Sequence, residues 1–139
     1  MSFIEVAMDD AIELGMAPEG RYDIVCTSAK VSDTKAGDRK KLSCVFAIEG
    51  SEEEYEAIFE TFVFPNKKDW DENEGSTAKL FVLQLKRAMS VLSIAWDAKG
   101  FDPDQFAGAQ AENVQLKCET GVDSIDRNKV VWPRGDVGM

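Results

Sequence analysis

One segment with helical periodicity, flanked by three strand-like segments before it and two after it, limits the folds open to this chain more than any other feature. Across residues 77–96, Phe81, Leu85, Met89, Leu92 and Trp96 recur at helical spacing, and Lys79, Lys86, Ser90 and Ser93 form a separate polar stripe. Before it, residues 21–31 (RYDIVCTSAKV), 40–49 (KKLSCVFAIE) and 55–64 (YEAIFETFVF) read as strands rich in β-branched and aromatic types. In the second of these, Leu42, Cys44, Phe46 and Ile48 alternate with Lys41, Ser43, Val45 and Ala47, which predicts one apolar and one small or polar face. After the helix, residues 111–119 and 129–133 read as a closing pair of strands. The order β-β-β-α-β-β predicts a mainly β domain with one helix. It is the order of a five-stranded OB-fold barrel, whose helix lies between strands three and four. A simple α+β sandwich shares that order, and propensity alone does not separate the two.

The connections fit this reading. Residues 32–38 (SDTKAGD) form a turn in which Gly37 can take a positive φ, and Pro65 stops the third strand. Residues 66–75 (NKKDWDENEG) read as a polar loop, with Ser76 or Thr77 as the helix cap. Residues 101–106 read as a turn or short 3₁₀ piece. The predicted organisation is an acidic N-terminal arm at 1–17, the OB-fold domain at 18–134 and a short C-terminal tail at 135–139. At 139 residues, a chain can bury enough apolar surface to fold without disulfides or metals. The first 14 residues carry Glu5, Asp9, Asp10 and Glu13, which is unlike a secretory leader, and no run approaches the ~18 apolar residues of a membrane span. The three cysteines, Cys26, Cys44 and Cys118, each sit in an apolar segment and read as buried free thiols in a reducing compartment.

Candidate chemistry is sparse. With no His in the chain, imidazole catalysis and His-ligated metals are excluded. The carboxylates from Asp69 to Glu74 resemble a calcium loop only at its start: Glu74 stands where a Gly is required and Leu80 where a bidentate Glu is required. A solvated loop beside a helix N-terminus explains them better. Asp9-Asp10 and Glu52-Glu53-Glu54 sit in wholly polar contexts, without the burial that separates acid from base. Arg134-Gly135-Asp136 is a tripeptide common by chance. No enzymatic activity, metal or cofactor is expected.

The basic residues are unevenly placed. The formal net charge is −10, which as a total argues against nucleic acid. Residues 30–41 nevertheless hold Lys30, Lys35, Arg39, Lys40 and Lys41 against Asp33 and Asp38, and residues 127–134 hold Arg127, Lys129 and Arg134 with no acid. The acid concentrates in residues 1–20 and 49–60. In an OB barrel the two basic turns flank the oligonucleotide groove on strands two and three. Basic side chains there would track phosphates, while aromatic faces stack bases at roughly 1–3 kcal/mol each. Phe59, Phe62, Phe64 and Trp132 are the candidate stacking residues, with Lys67, Lys68 and Lys117 as secondary cations. Alternation puts Tyr55, Phe59 and Thr61 on one face and Ile58, Phe62 and Phe64 on the other; one set must be core. For the lysines, the competing explanation is plain solubility.

The stretch PEGRYDIVCTSAKVSDTKAGDRKKLSCVFAIEG carries Pro18, Gly20 and Tyr22 at a strand start, Lys35 and Gly37 in a turn, then residues 42–48 as a strand. With residues 61–65, the helix at 78–92, Phe106-x-Gly108 followed by 114–119, and 128–132, this resembles the small single-stranded-DNA-binding proteins of tailed bacteriophages. Many of that group are described only as a phage domain of unknown function. The resemblance covers about residues 18–134. It implies an OB fold that binds single-stranded DNA with little sequence preference, in phage replication or recombination, in the cytoplasm of a bacterial host. It also implies self-association and contact with phage replication or recombination proteins. The ending VVWPRGDVGM departs from the acidic tail common among single-strand binders, which leaves partner recruitment to the acidic arm. The alternative is a phage protein-interaction or structural domain whose working face is acidic, around Glu52–Glu54 and Asp69–Glu74.

Overall fold

Leu42, Cys44, Phe46 and Ile48 are all buried, and the residues between them in β2 (Lys40–Ile48) are half-buried. This alternation follows when a strand covers a core with one face only. The structure, a computed structural model, describes residues 14–133. β2 pairs with β1 (Gly20–Asp33) and β3 (Ile58–Val63), and β1 pairs with β4 (Gln110–Thr120), which pairs with β5 (Asp126–Val130). The result is a five-stranded antiparallel sheet of order β3-β2-β1-β4-β5. β1 serves both halves, meeting β2 through residues 24–33 and β4 through residues 20–25. Its register shifts at Cys26/Ser28 and Tyr22/Ile24, where bulges let one long strand bend between two partners. Gly37, at φ 77°, makes the β1–β2 turn as its sequence predicts.

The sheet curls, but it is not closed into the expected barrel. The edge strands β3 and β5 meet through side chains. Lys129 Nζ donates to the Phe59 carbonyl at 2.5 Å, and Trp132 Nε1 donates to Glu60 Oε1 at 3.1 Å. The Val130 N–H points to Glu60 Oε2 at 3.5 Å. A carboxylate thus takes a donor that a β3 carbonyl would take in a ladder. No backbone ladder joins β3 to β5 among the described residues.

The β3–β4 connection also differs from the expected single helix. It holds α1 (Lys67–Asp71) and α2 (Ser76–Val91), giving β-β-β-α-α-β-β. α1 starts on a capping box: Asp69 N donates to Asn66 Oδ1 at 2.9 Å, and Asn66 N donates to Asp69 Oδ2 at 3.0 Å. At five residues it is too short to show a period. The cap of α2 is Gly75, at φ 75°, rather than Ser76 or Thr77, and it makes no side-chain bond. The positive φ explains this choice, because residues with a side chain rarely adopt it. A Cβ on Gly75 would lie 3.4 Å from both Trp70 Cε3 and the Trp70 carbonyl oxygen. α2 ends earlier than its apolar period suggests. Ser93 takes φ 59°, Ile94 N donates to Met89 O at 2.9 Å, and Ser93 N donates to Ser90 O at 3.4 Å. This is a Schellman closure, and burial of Leu92 and Ile94 on either side holds it. Trp96 therefore lies beyond the helix, in a loop. The predicted 3₁₀ piece is present at Pro103–Gln105.

Inside the curl, Phe46, Phe106, Ile24, Leu42, Ile58, Met89 and Leu116 are fully buried. α2 contributes Leu85, Ala88 and Met89, which closes one end of the sheet's concave side. Residues 14–17, predicted as part of an acidic N-terminal arm, are pinned to the sheet. Glu56 N donates to Gly15 O at 2.9 Å, and buried Asn128 holds both backbone groups of Ala17 at 2.8 and 2.9 Å. The rest of the predicted arm, Arg134 and the predicted tail lie outside the described residues. No described helix is long and apolar enough to cross a membrane.

Candidate nucleic-acid interface

Strand register decides which side chains share the outer face of the sheet. Three cross-strand pairs, Val45↔Phe59, Ser43↔Thr61 and Lys41↔Val63, put these residues on the face opposite Cys44, Phe46 and Phe62. From β1, Ser28, Lys30 and Ser32 join them through Ser28↔Val45, Lys30↔Ser43 and Ser32↔Lys41. None of these residues is buried. None is acidic, although the chain as a whole carries 26 Asp+Glu against 16 Lys+Arg. Phe59, 58% exposed, lies on the edge strand at one end of this face, with Val45 beside it. Lys129 reaches it from β5, since its Nζ bonds the Phe59 carbonyl.

The predicted cations divide sharply. Lys30, Lys35, Lys41 and Lys67 form no ion pair among the described residues. Lys30 and Lys41 lie on the face, Lys35 in the β1–β2 turn and Lys67 at the start of α1. Arg39 is a structural clamp. Its guanidinium holds Asp69 through both oxygens, at 2.8 and 2.7 Å, and also meets Asp38 at 2.9 Å. That clamp, with the Asn66 N–H, keeps the buried Asp69 carboxyl at about 2, well below its ordinary value, and raises the Arg39 pKa in return. Arg127 is likewise bound to Asp123, at 3.0 and 2.6 Å, in its own turn. Lys40 meets Asp33 at 2.6 Å, Lys68 meets Glu72 at 3.9 Å, and Lys117 meets Glu119 at 2.8 Å. These last three pairs are exposed and weak, so their lysines can exchange partners. Lys129 lies 3.8 Å from Glu60, whose carboxyl is pushed up by burial against the lowering effect of Lys129 and Trp132.

The predicted stacking residues divide as well. Only Phe59 presents its ring to solvent. Phe62 is buried at 6%, between Phe106 and Trp132 at 6.2 and 6.0 Å, so it is a core residue. Phe64 is half-buried against Phe101 at 5.9 Å. Trp132 packs edge-on to Phe46 at 5.8 Å and donates to Glu60, which makes it part of the β3–β5 seam. One aromatic was overlooked by the sequence reading. Trp70, on α1, is 48% exposed. Its signal was an isolated Trp in an otherwise polar segment, where no core period demands one.

No group of three or more His, Cys, Asp or Glu is placed to hold a metal among the described residues. Cys26 and Cys44 are buried, and the neighbouring Cys26 thiol together with burial drives the Cys44 pKa up, which keeps that sulfur protonated. Comparison with family models finds no match, and comparison with curated proteins finds none either.

Proposed function

We propose that this protein binds single-stranded DNA, with little sequence preference, across the outer face of β1, β2 and β3. The observation that carries the proposal is a patch of the sheet with an exposed Phe59, with Lys30 and Lys41 unpaired among the described residues and no acid at its nine paired positions, on a chain of net charge −10. An aromatic platform flanked by cations is the combination that holds a single strand, by stacking bases and tracking phosphates. The finer architecture belongs to the same proposal: the curled sheet acts as an OB-type barrel, with the seam of Lys129, Glu60 and Trp132 in place of a β3–β5 ladder. The resemblance of residues 18–134 to phage single-stranded-DNA-binding proteins supports the reading, with phage replication or recombination inside a bacterial host as the proposed setting.

Lys30, Lys35 and Lys41, with Lys117 released from Glu119, provide about four phosphate contacts. For a single strand this predicts roughly 50-fold weaker binding between 50 and 200 mM salt. Fluorescence anisotropy with labelled DNA of about 20–30 nucleotides tests it. Binding that weakens with this slope supports the proposal, and no binding at low salt overturns it in favour of an acidic interaction surface. Changing Lys30 and Lys41 together to Glu should weaken binding and cut the slope by about 1.4.

A further inference from the structure

The exposed row of β3 leads toward a groove. Phe59, Thr61 and Val63 share one side of β3 by alternation, and Pro65, two residues on, lines a groove of ≈730 Å³ between α1, α2 and the loop after α2. From Phe59 to Pro65 the chain spans ~20 Å at ~3.3 Å per residue. The groove is walled by Trp70, Trp96, Phe64 and Phe101, with Val82 and Met89 at its base.

The lining holds Lys86 and Lys99 against Asp97, although Asp71, Glu72 and Glu74 follow Trp70 in the chain. α2 carries Lys79, Lys86 and Arg87 and no acid. Lys86 lies over the Trp96 ring at 5.8 Å, and Lys99 is on the rim. The one acid of the lining is Asp97, and its Oδ1 already accepts from Lys99 N and Gly100 N, at 2.7 and 3.1 Å. Trp70 is also held in place. Its indole rests on Gly75, with the Lys79 side chain close by. A ring backed on one side and 48% exposed offers its other side to a base. Phe59 and Trp70 are the two aromatics among the exposed large apolar residues of the described chain, one on this row and one on the groove wall.

We infer that the groove is a second stacking site on the same single strand: the strand leaves the sheet past Val63 and Pro65 and lays a base on Trp70, with its phosphates on Lys67, Lys86 and Lys99. This inference rests on the proposed function. It adds a length requirement, because a short oligonucleotide fills the Phe59 face alone and a longer one reaches both sites.

Oligo(dT) of about 5 and about 15 nucleotides, near the ends of the range covered by one OB-type domain, tests the requirement on the full chain. Trp70→Ala should weaken the longer ligand roughly 5-fold or more and leave the shorter within 2-fold, whereas Phe59→Ala weakens both. Trp70→Phe should restore most of the loss, and Trp70 emission should be quenched by the longer ligand only. Equal weakening at both lengths would mean that Trp70 acts through the fold, and overturns the inference. Unchanged affinity at both lengths, with Phe59→Ala still impaired, overturns the groove and leaves the sheet face standing. No binding of either ligand to the unmodified chain overturns the proposed function itself.

Discussion

Phe59 and Phe62 sit three positions apart on β3, and their truncation should separate binding from folding. Phe62 is 6% exposed, opposite Leu42 in the register and between the rings of Phe106 and Trp132. Phe62→Ala leaves a cavity that these rigid neighbours cannot fill, at a cost of about 3–5 kcal/mol. At roughly 4 °C per kcal/mol for a domain of this size, Tm should fall by about 12–20 °C. Phe59 is 58% exposed, and its main contact is Val45 across the strand. Losing that pair costs about 0.2–1 kcal/mol, or at most ~4 °C. Binding should show the reverse order. Phe59→Ala gives up a stacked base, worth about 1–3 kcal/mol, so affinity for oligo(dT) should fall roughly 5- to 150-fold. Phe62→Ala, assayed well below its lowered Tm, should bind almost as well as the unmodified chain. Thermal melts by circular dichroism and titrations by anisotropy measure the two quantities on the same samples. Two results refute the reasoning: a Phe59→Ala melt as low as that of Phe62→Ala, or a Phe59→Ala affinity equal to that of the unmodified chain.

Two further predictions concern what holds the face in place. Arg39 and the Asn66 N–H keep the Asp69 pKa at about 2, below its ordinary 3.8, so the clamp's contribution is complete above about pH 3.8 and is lost as pH falls toward about 2. Urea midpoints across that window should fall more steeply for the unmodified chain than for Asp69→Asn, and parallel curves would show that the clamp adds nothing. Asn128→Ala strands the buried N–H and carbonyl of Ala17, at about 1–3 kcal/mol for each group. Hydrogen exchange at the Ala17 amide should accelerate well beyond that at β2 amides, and unchanged protection at Ala17 would show that Asn128 is not the anchor.

How far the sequence could be read depended on the range of each determinant. The β strands were legible because period-two burial is local, and Leu42 to Ile48 carries it without interruption. The end of α2 was not, because the position that stops it is Ser93, a residue whose positive φ follows from burying Leu92 and Ile94. α1 was missed because five residues are too few to show a period, and its local marks, Asn66 and Asp69, also suit a polar loop. A distance limit governed the candidate site. Charge counting by segment located the basic β1–β2 turn, but it could not tell Lys41 from Arg39, because Asp69, thirty residues away, occupies the latter. Alternation gave two sets of β3 aromatics without saying which was core. Burial of Ile58 and Phe62 settles that question, and it leaves Phe59 as the exposed ring.

The acidic total then takes on a definite role in the proposed interface. Duplex DNA presents one charge per ~1.7 Å and keeps its bases stacked, so a duplex could use the lysines of the face but not Phe59. About four phosphate contacts alone make a weak complex, and the remaining acidic surface opposes any wider electrostatic grip. A single strand can splay its bases, and each base stacked on an exposed ring adds about 1–3 kcal/mol that a duplex cannot match without unpairing. Discrimination between the two forms therefore grows with the share of binding energy that comes from stacking. The net charge of −10 raises that share by making pure charge attraction insufficient. On this argument, replacing surface acids far from the face by neutral residues would strengthen duplex binding more than single-strand binding, and so would reduce selectivity while raising affinity for both.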